Sequence, residues 1–204
     1  MIPDKRGIAF FDFDGTVTRL DTLWDFHKFA FGATCFYRKV FFLLPVLFAY
    51  AFRMISAQAA KEAVLSVFWK GKALQTLEEY GQKYAGRVPD ILRKEAVQAI
   101  RRHKENGDVL VLVTASIREW VEPWAKTAGF HFVLASEIEV EDGRITGRLQ
   151  GANCTGPEKE KQIRKTINLD DFEEIYAYGD SEGDREMLSL GTKGKTYYKW
   201  RVAE

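Results

Sequence analysis

Gly7-Ile8-Ala9-Phe10-Phe11-Asp12-Phe13-Asp14-Gly15-Thr16 is the stretch on which the fold turns. A short, apolar, aromatic-rich run reads as a buried strand over Gly7–Phe13, and it ends in two carboxylates and a glycine. Two further apolar runs also end in polar residues. Asp108 to Val113 leads into Thr114, Ala115 and Ser116, and Ile175 to Tyr178 leads into Gly179-Asp180, with Asp184 close behind. Helical patterns separate these strands at Pro89–Asn106, Arg118–Thr127 and Glu158–Ile167, and another follows at Asp184–Leu190. Phe132–Ala135 reads as a short strand and Thr196–Trp200 as a last one. Glu137–Leu149 reads as a hairpin turning at Asp142-Gly143. Strands alternating with helices predict an α/β fold, a doubly wound and mostly parallel sheet with helices on both faces.

Between the first strand and Pro89 the pattern changes. From Leu23 to Val88 apolar residues recur at helical spacing and no strand is evident. This predicts a helical cap over residues 19–88, inserted into a core of residues 1–18 and 89–204. The insertion holds ten Lys/Arg against five Asp/Glu, so it is the basic part of a chain whose net charge is only +1. Within it, Val40 to Phe52 is nearly all apolar, interrupted by Pro45. That run is shorter than the roughly 18–20 residues of a membrane span. It reads first as a buried cap helix. Flanked by Arg38, Lys39 and Arg53, it also suits peripheral contact with an anionic lipid surface.

Composition excludes several classes of function. A chain of 204 residues with 46% hydrophobic and 29% charged residues is an ordinary globular protein. Near-neutral charge without a basic tract argues against nucleic acid as a partner. Cys35 and Cys154 have neither disulfide-framework nor metal spacing, which favours a reducing, cytoplasmic compartment. Met1 to Gly7 is polar, and the apolar segment after it carries Asp12 and Asp14, so it does not read as a leader. His27, His103 and His131 are scattered and suggest no site.

Open parallel sheets gather their sites at the carboxyl ends of the strands. There this chain places Asp12 and Asp14, Thr114, and Asp180 and Asp184, with Lys159 opening a helix between the last two strands. Such a set suits phosphoryl transfer. A carboxylate can attack phosphorus and split hydrolysis into two easier steps, provided that cations neutralise the two meeting anions. Mg²⁺ takes oxygen ligands from one or two carboxylates. Asp14 is spaced to act as general acid and base. Simpler readings exist for single members. A calcium loop would put its glycine sixth, whereas Gly15 is fourth from Asp12. Asp180 and Asp184 suit a helix N-terminus. Lys159 lies among Glu158, Glu160 and Lys161, and Lys161 is the rival lysine.

Asp12-Phe13-Asp14-Gly15-Thr16, the hydrophobic strand Val109 to Thr114, Lys159, and Gly179-Asp180-Ser181-Glu182-Gly183-Asp184 resemble, in order, the four motifs of the haloacid dehalogenase superfamily. The resemblance implies a phosphatase with Mg²⁺ as cofactor and a phosphorylated small molecule as substrate. It implies Asp12 as nucleophile and metal ligand, and Asp14 as acid/base with its backbone carbonyl on the metal. Thr114, Ala115 and Lys159 would bind phosphate, and Asp180 and Asp184 would serve the metal. The insertion is similar to the cap of the phosphoserine-phosphatase-like branch. Cys154 to Lys159 resembles a CxGxEK segment found there and in C-type phosphatidylglycerophosphate phosphatases. Departures are Gly183, where phosphoserine phosphatases usually carry Asn, and Asp21, where Glu is frequent. Asp21 and Arg53 are the specificity positions these comparisons suggest. The departures weigh against phosphoserine. A lipid-phosphate phosphatase with a membrane-touching cap, and a non-catalytic metal or phosphate binder, are the other readings.

Overall fold

The structure, a computed structural model, describes residues 7–202. The polar stretch before Gly7, read above as no leader, lies outside the described residues. A six-stranded sheet runs in the order β3 (Phe132–Ser136), β2 (Val109–Ile117), β1 (Gly7–Phe11), β6 (Glu174–Gly179), β7 (Thr196–Tyr198), β8 (Arg201–Val202). All neighbours are parallel except β7 and β8. The expected doubly wound α/β fold is what forms.

β1 is buried along its whole length because it is central and covered on both faces. Alternate side chains enter different layers. Ala9 and Phe11 join a core with Trp120, Trp124 and Tyr178, whereas Ile8 and Phe10 join one with Val111, Ile163 and Met187. Phe11 pairs with Leu112 of β2 and with Tyr178 of β6. The three chemistry-bearing strand ends are therefore side by side. β2 extends past the expected Val113 to Ile117, with a shift of register between Thr114 and Ile117. The helices α4 (Lys94–Asn106), α5 (Arg118–Ala128), α6 (Pro157–Thr166) and α7 (Arg185–Ser189) connect the strands. β4 (Ile138–Glu141) and β5 (Arg144–Leu149) form the expected hairpin, as a sheet of its own.

Three helices lie between β1 and α4: α1 (Thr22–Ala51), α2 (Ala57–Trp69) and α3 (Leu74–Ala85). They are docked tightly. A Cβ at Gly81 of α3 would run into the Glu119 carbonyl of α5, and one at Gly147 of β5 into Ser66 of α2. Two sequence expectations need correcting here. Val40–Phe52 is not a buried helix: Phe41, Phe42, Phe48 and Phe52 are all exposed, and only Leu43 is buried in that run. The run is also not an isolated short segment. It continues through Pro45 in a helix of 30 residues, long and apolar enough by composition to cross a membrane. Gly32, at φ +73°, breaks that helix into two pieces.

Two of the histidines without a reading are core members. His103 bridges Asp108 (2.6 Å) and the Tyr178 hydroxyl (2.9 Å). His27 accepts from Trp69 Nε1 at 2.9 Å and faces the Leu23 carbonyl through Nδ1. Its Nδ1 therefore carries the proton and its Nε2 is the acceptor. Burial holds the imidazole neutral, pushing its pKa from the usual 6.5 down to about 4. A depressed histidine stabilises the fold above its unfolded pKa, and that stability is lost as pH falls toward the folded one. We expect acidification from pH 8 to pH 5 to cost about 2 kcal/mol through this residue. Urea unfolding of wild type and His27→Gln at both pH values measures it. An equal acid loss in the variant would assign the effect elsewhere.

Candidate active site

Asp12 follows the end of β1, where its backbone N–H donates to the Tyr178 carbonyl (2.9 Å) and keeps it in line with the sheet. Lys159 rises to it from the first turn of α6. The ammonium donates to Asp12 Oδ1 at 2.6 Å, to Asp184 Oδ1 at 2.6 Å and to the Val113 carbonyl at 2.9 Å. Its three protons thus meet three acceptors, one behind each strand end. Lys159 is only 2% exposed. Lys161, the rival, is at the surface and pairs with Glu158.

Charge is crowded around that lysine. Oxygens of Asp12, Asp180 and Asp184 lie within 4.8 Å of one another. Burial pushes Asp12 up to about 7; Lys159 works against this, and Asp184 and Asp14 add to it. Asp180 is also raised, by burial and by Asp184. Burial alone would lower Lys159 and raise Asp184. Attraction to Asp12 and Asp184 outweighs it for the lysine, and attraction to Lys159 outweighs it for Asp184, so the lysine is held above and the aspartate below its ordinary value. One ammonium cannot neutralise three carboxylates. The donors are all hard oxygens and the excess is negative, so the site fits a small divalent cation such as Mg²⁺. Asp184 contributes from behind. Its Oδ1 holds Lys159, and its Oδ2 accepts from the Asp180 and Ser181 backbone and from Ser181 Oγ.

Gly15 is required here. It sits at φ +81°, and a Cβ would overlap the Asp180 carboxylate. Asp14, just before this turn, is extended (φ −73°, ψ 124°) and its carboxylate meets the insertion. Asp14 Oδ1 accepts from the Thr22 backbone at 2.7 Å, and Oδ2 from Ser116 Oγ at 2.5 Å. The first turn of α1 and the irregular end of β2 therefore hold Asp14 jointly. Thr114 is buried, and its Oγ1 accepts from the Ser116 N–H (2.9 Å), which leaves its hydroxyl proton to donate.

A cleft of about 380 Å³ opens in front of Asp14, lined by Asp21, Trp24, Ala115 and Ser116, with Leu47 and Tyr50 of α1. Asp21 caps α1 by accepting from Leu23 N–H (2.9 Å). Arg53, the other expected specificity position, is exposed in the turn after α1 and is not brought to the cleft. A cation that sequence reasoning missed stands there instead. Lys61 of α2 donates to the Ala115 carbonyl at 2.6 Å and to Asn153 Oδ1 at 2.5 Å. Desolvation lowers it to about 8, against the pull of Asp14 and Asp21. The helical spacing of Ala60, Lys61 and Val64 carried no sign of this, because only the packing of α2 turns Lys61 inward.

A buried carboxylate clamped by lysine lies at the carboxyl edge of a parallel sheet, with a second carboxylate two residues on, and this is a site a hydrolase can use. Residues 9–189 match the sequence pattern of the haloacid dehalogenase-like hydrolases, and the chain belongs to that family. It is 34% identical to Protein CicA of Caulobacter vibrioides over 196 residues, 95% of this chain and 87% of that one. A phosphoserine phosphatase of Archaeoglobus fulgidus is 26% identical over 105 residues, 50% of this chain and 30% of that one. A solved structure of a protein of unknown function from Bordetella pertussis superposes with a TM-score of 0.79 at 27% identity, covering 93% of this chain and 88% of that one.

Removing the lysine tests the electrostatic account. Lys159→Met strands two buried carboxylates and should destabilise the fold by about 3–5 kcal/mol. Urea unfolding at pH 7 without divalent cations is the measurement. A loss below about 1 kcal/mol would contradict the role given to this ammonium.

Proposed function

We propose that the chain is a Mg²⁺-dependent phosphomonoesterase that works through an aspartyl-phosphate on Asp12 and acts on a small phosphate monoester. The observation that carries this reading is the Asp12 carboxylate, buried and held by Lys159 beside Asp180 and Asp184. The phosphatase relative supports it. Asp12, Asp180 and the Asp14 backbone carbonyl would hold Mg²⁺, with Asp184 behind them. When bound, the ion offsets the negative charge that meets when carboxylate approaches phosphate.

Chemistry by the chain's own residues follows in two displacements. An oxygen of Asp12 attacks phosphorus, the bond from phosphorus to the ester oxygen breaks, and Asp14 gives that oxygen a proton. Asp14 then takes a proton from water, whose oxygen attacks phosphorus. The acyl phosphate bond breaks, Asp12 is restored and inorganic phosphate leaves. The Thr114 hydroxyl would donate to a phosphoryl oxygen, and Lys159, its protons held by Asp12, Asp184 and the Val113 carbonyl, would offset phosphoryl charge. Lys61 faces the same cleft from the insertion, on the side where a leaving group would sit. A division into a core of 1–18 and 89–204 and a cap of 19–88 belongs to this proposal, since α1 and α2 supply groups to Asp14 and to the cleft. So does a cytoplasmic location, which the free thiols of Cys35 and Cys154 support. A non-catalytic binder of the same fold has no use for Asp14 held at two points.

Phosphate release from a panel of phosphomonoesters in Mg²⁺ checks the central step. Asp12→Asn should lose about a thousandfold or more in kcat; activity near wild type would remove Asp12 as nucleophile. Lys61→Met should raise KM about tenfold with kcat little changed, as for a lost charge-assisted hydrogen bond. Because Lys61 is a cation only below about pH 8, wild-type KM should climb as pH passes through that value. A climb of the same size in Lys61→Met would exclude Lys61 as its source.

A further inference from the structure

The aromatic half of α1 is unaccounted for by catalysis. Beyond Gly32 the helix continues through residues 33–51. One stripe, Phe36, Val40, Leu43 and Leu47, packs onto the protein's own core at i, i+4, i+7 and i+11. The neighbouring stripe, Tyr37, Phe41, Leu44, Phe48 and Phe52, follows the same spacing about 100° round the helix and is exposed, and Phe42 is exposed farther round. Phe41, Phe42 and Phe48 are 67%, 70% and 68% exposed. The helix is apolar on both sides, although water would favour a polar outer side.

Its charges point to what covers the outer side. From Phe26 to Lys61 the sequence holds no Asp or Glu but has Lys28, Arg38, Lys39, Arg53 and Lys61. Lys39 and Lys61 are used within the fold, on the Val67 and Ala115 carbonyls. Lys28, Arg38 and Arg53 are exposed around the aromatic stripe. An apolar face whose own stretch of chain carries cations and no carboxylate complements an anionic lipid surface. The buried stripe also decides the manner of contact. With Phe36 and Leu43 in the protein core, the helix cannot be surrounded by lipid as a span, so it lies in the plane of the interface.

We propose that the outer face of residues 33–52 docks on anionic bilayers and opens the catalytic cleft at the lipid interface. Leu47 and Tyr50 belong to this same helix and line that cleft. The catalytic role of the cleft rests on the phosphatase reading; the docking does not.

Co-sedimentation with vesicles tests it without reference to turnover. The full-length protein is mixed with vesicles of phosphatidylcholine alone or with about one-third phosphatidylglycerol, at low and high salt. We expect binding to anionic vesicles to be about tenfold tighter or more, and to weaken in high salt. Phe41→Ser with Phe48→Ser should abolish it. Arg38→Glu with Arg53→Glu should remove the preference for anionic lipid. Circular dichroism should be unchanged in both double variants, whose residues are exposed and outside the cleft. Equal binding to both vesicle types at both salts would overturn the electrostatic argument. No binding to either would overturn the docking itself. Dimers that dissociate in the Phe41→Ser, Phe48→Ser variant, seen by analytical ultracentrifugation without vesicle binding, would give the face to a second copy and overturn the proposal as well. Phosphate release from soluble esters by a protein that ignores vesicles would sink this inference and leave the phosphatase reading standing.

Discussion

Lys159 sits at the point where the three chemistry-bearing strands meet. Its ammonium reaches Asp12 after β1, the Val113 carbonyl in β2 and Asp184 beyond β6. Burying a cation so deeply is unfavourable unless each proton has an acceptor and the charge has a counterion. Both conditions are met only if the strands lie in the order observed, with β1 between β2 and β6. The same contacts leave the cluster over-supplied with negative charge, which is why Asp12 and Asp180 are raised and why the oxygen-lined site suits a divalent cation. The need to neutralise Asp12 thus links the sheet order, the placement of α6 and the chemistry.

A second constraint runs through Asp14. Gly15 adopts a left-handed turn that lets Asp180 approach, and Asp14, just before it, bonds to the insertion rather than to Lys159. Thr22 at the start of α1 and Ser116 at the bulged end of β2 then fix its carboxylate. The two aspartates, with only Phe13 between them, therefore sit in different electrostatic surroundings. A nucleophile and an acid/base need that separation.

Much of this was legible in the sequence where local chemistry and periodicity agreed. The strand of Gly7–Phe11, its apolar neighbours in β2 and β6, and the carboxylates at their ends could be read because buried parallel strands are apolar throughout and their ends are not. Asp12, Lys159, Asp180 and Asp184 are brought together as the strand order required, and Asp14 and Thr114 join beside them through Ser116. What escaped the reading depends on packing. Lys61 enters the cleft only because of the way α2 lies on β5, and Arg53 stays out because the chain turns away after α1. Ser116 takes its place through a register shift that no pattern announces. Val40–Phe52 misled for a different reason. An apolar helix is expected to be buried, but hydropathy does not say whether protein or lipid does the burying.

The proposed reaction requires Asp12 to carry the phosphoryl group. The most direct measurement is single turnover with a phosphate-labelled ester and excess enzyme in Mg²⁺, quenched in acid at successive times and mapped by mass spectrometry. The account predicts a transient, hydroxylamine-sensitive phosphoryl group on the peptide that contains Asp12, rising before free phosphate and decaying as it appears. Free phosphate appearing with no protein-bound phosphoryl group at any time, or a label on another residue, would contradict it.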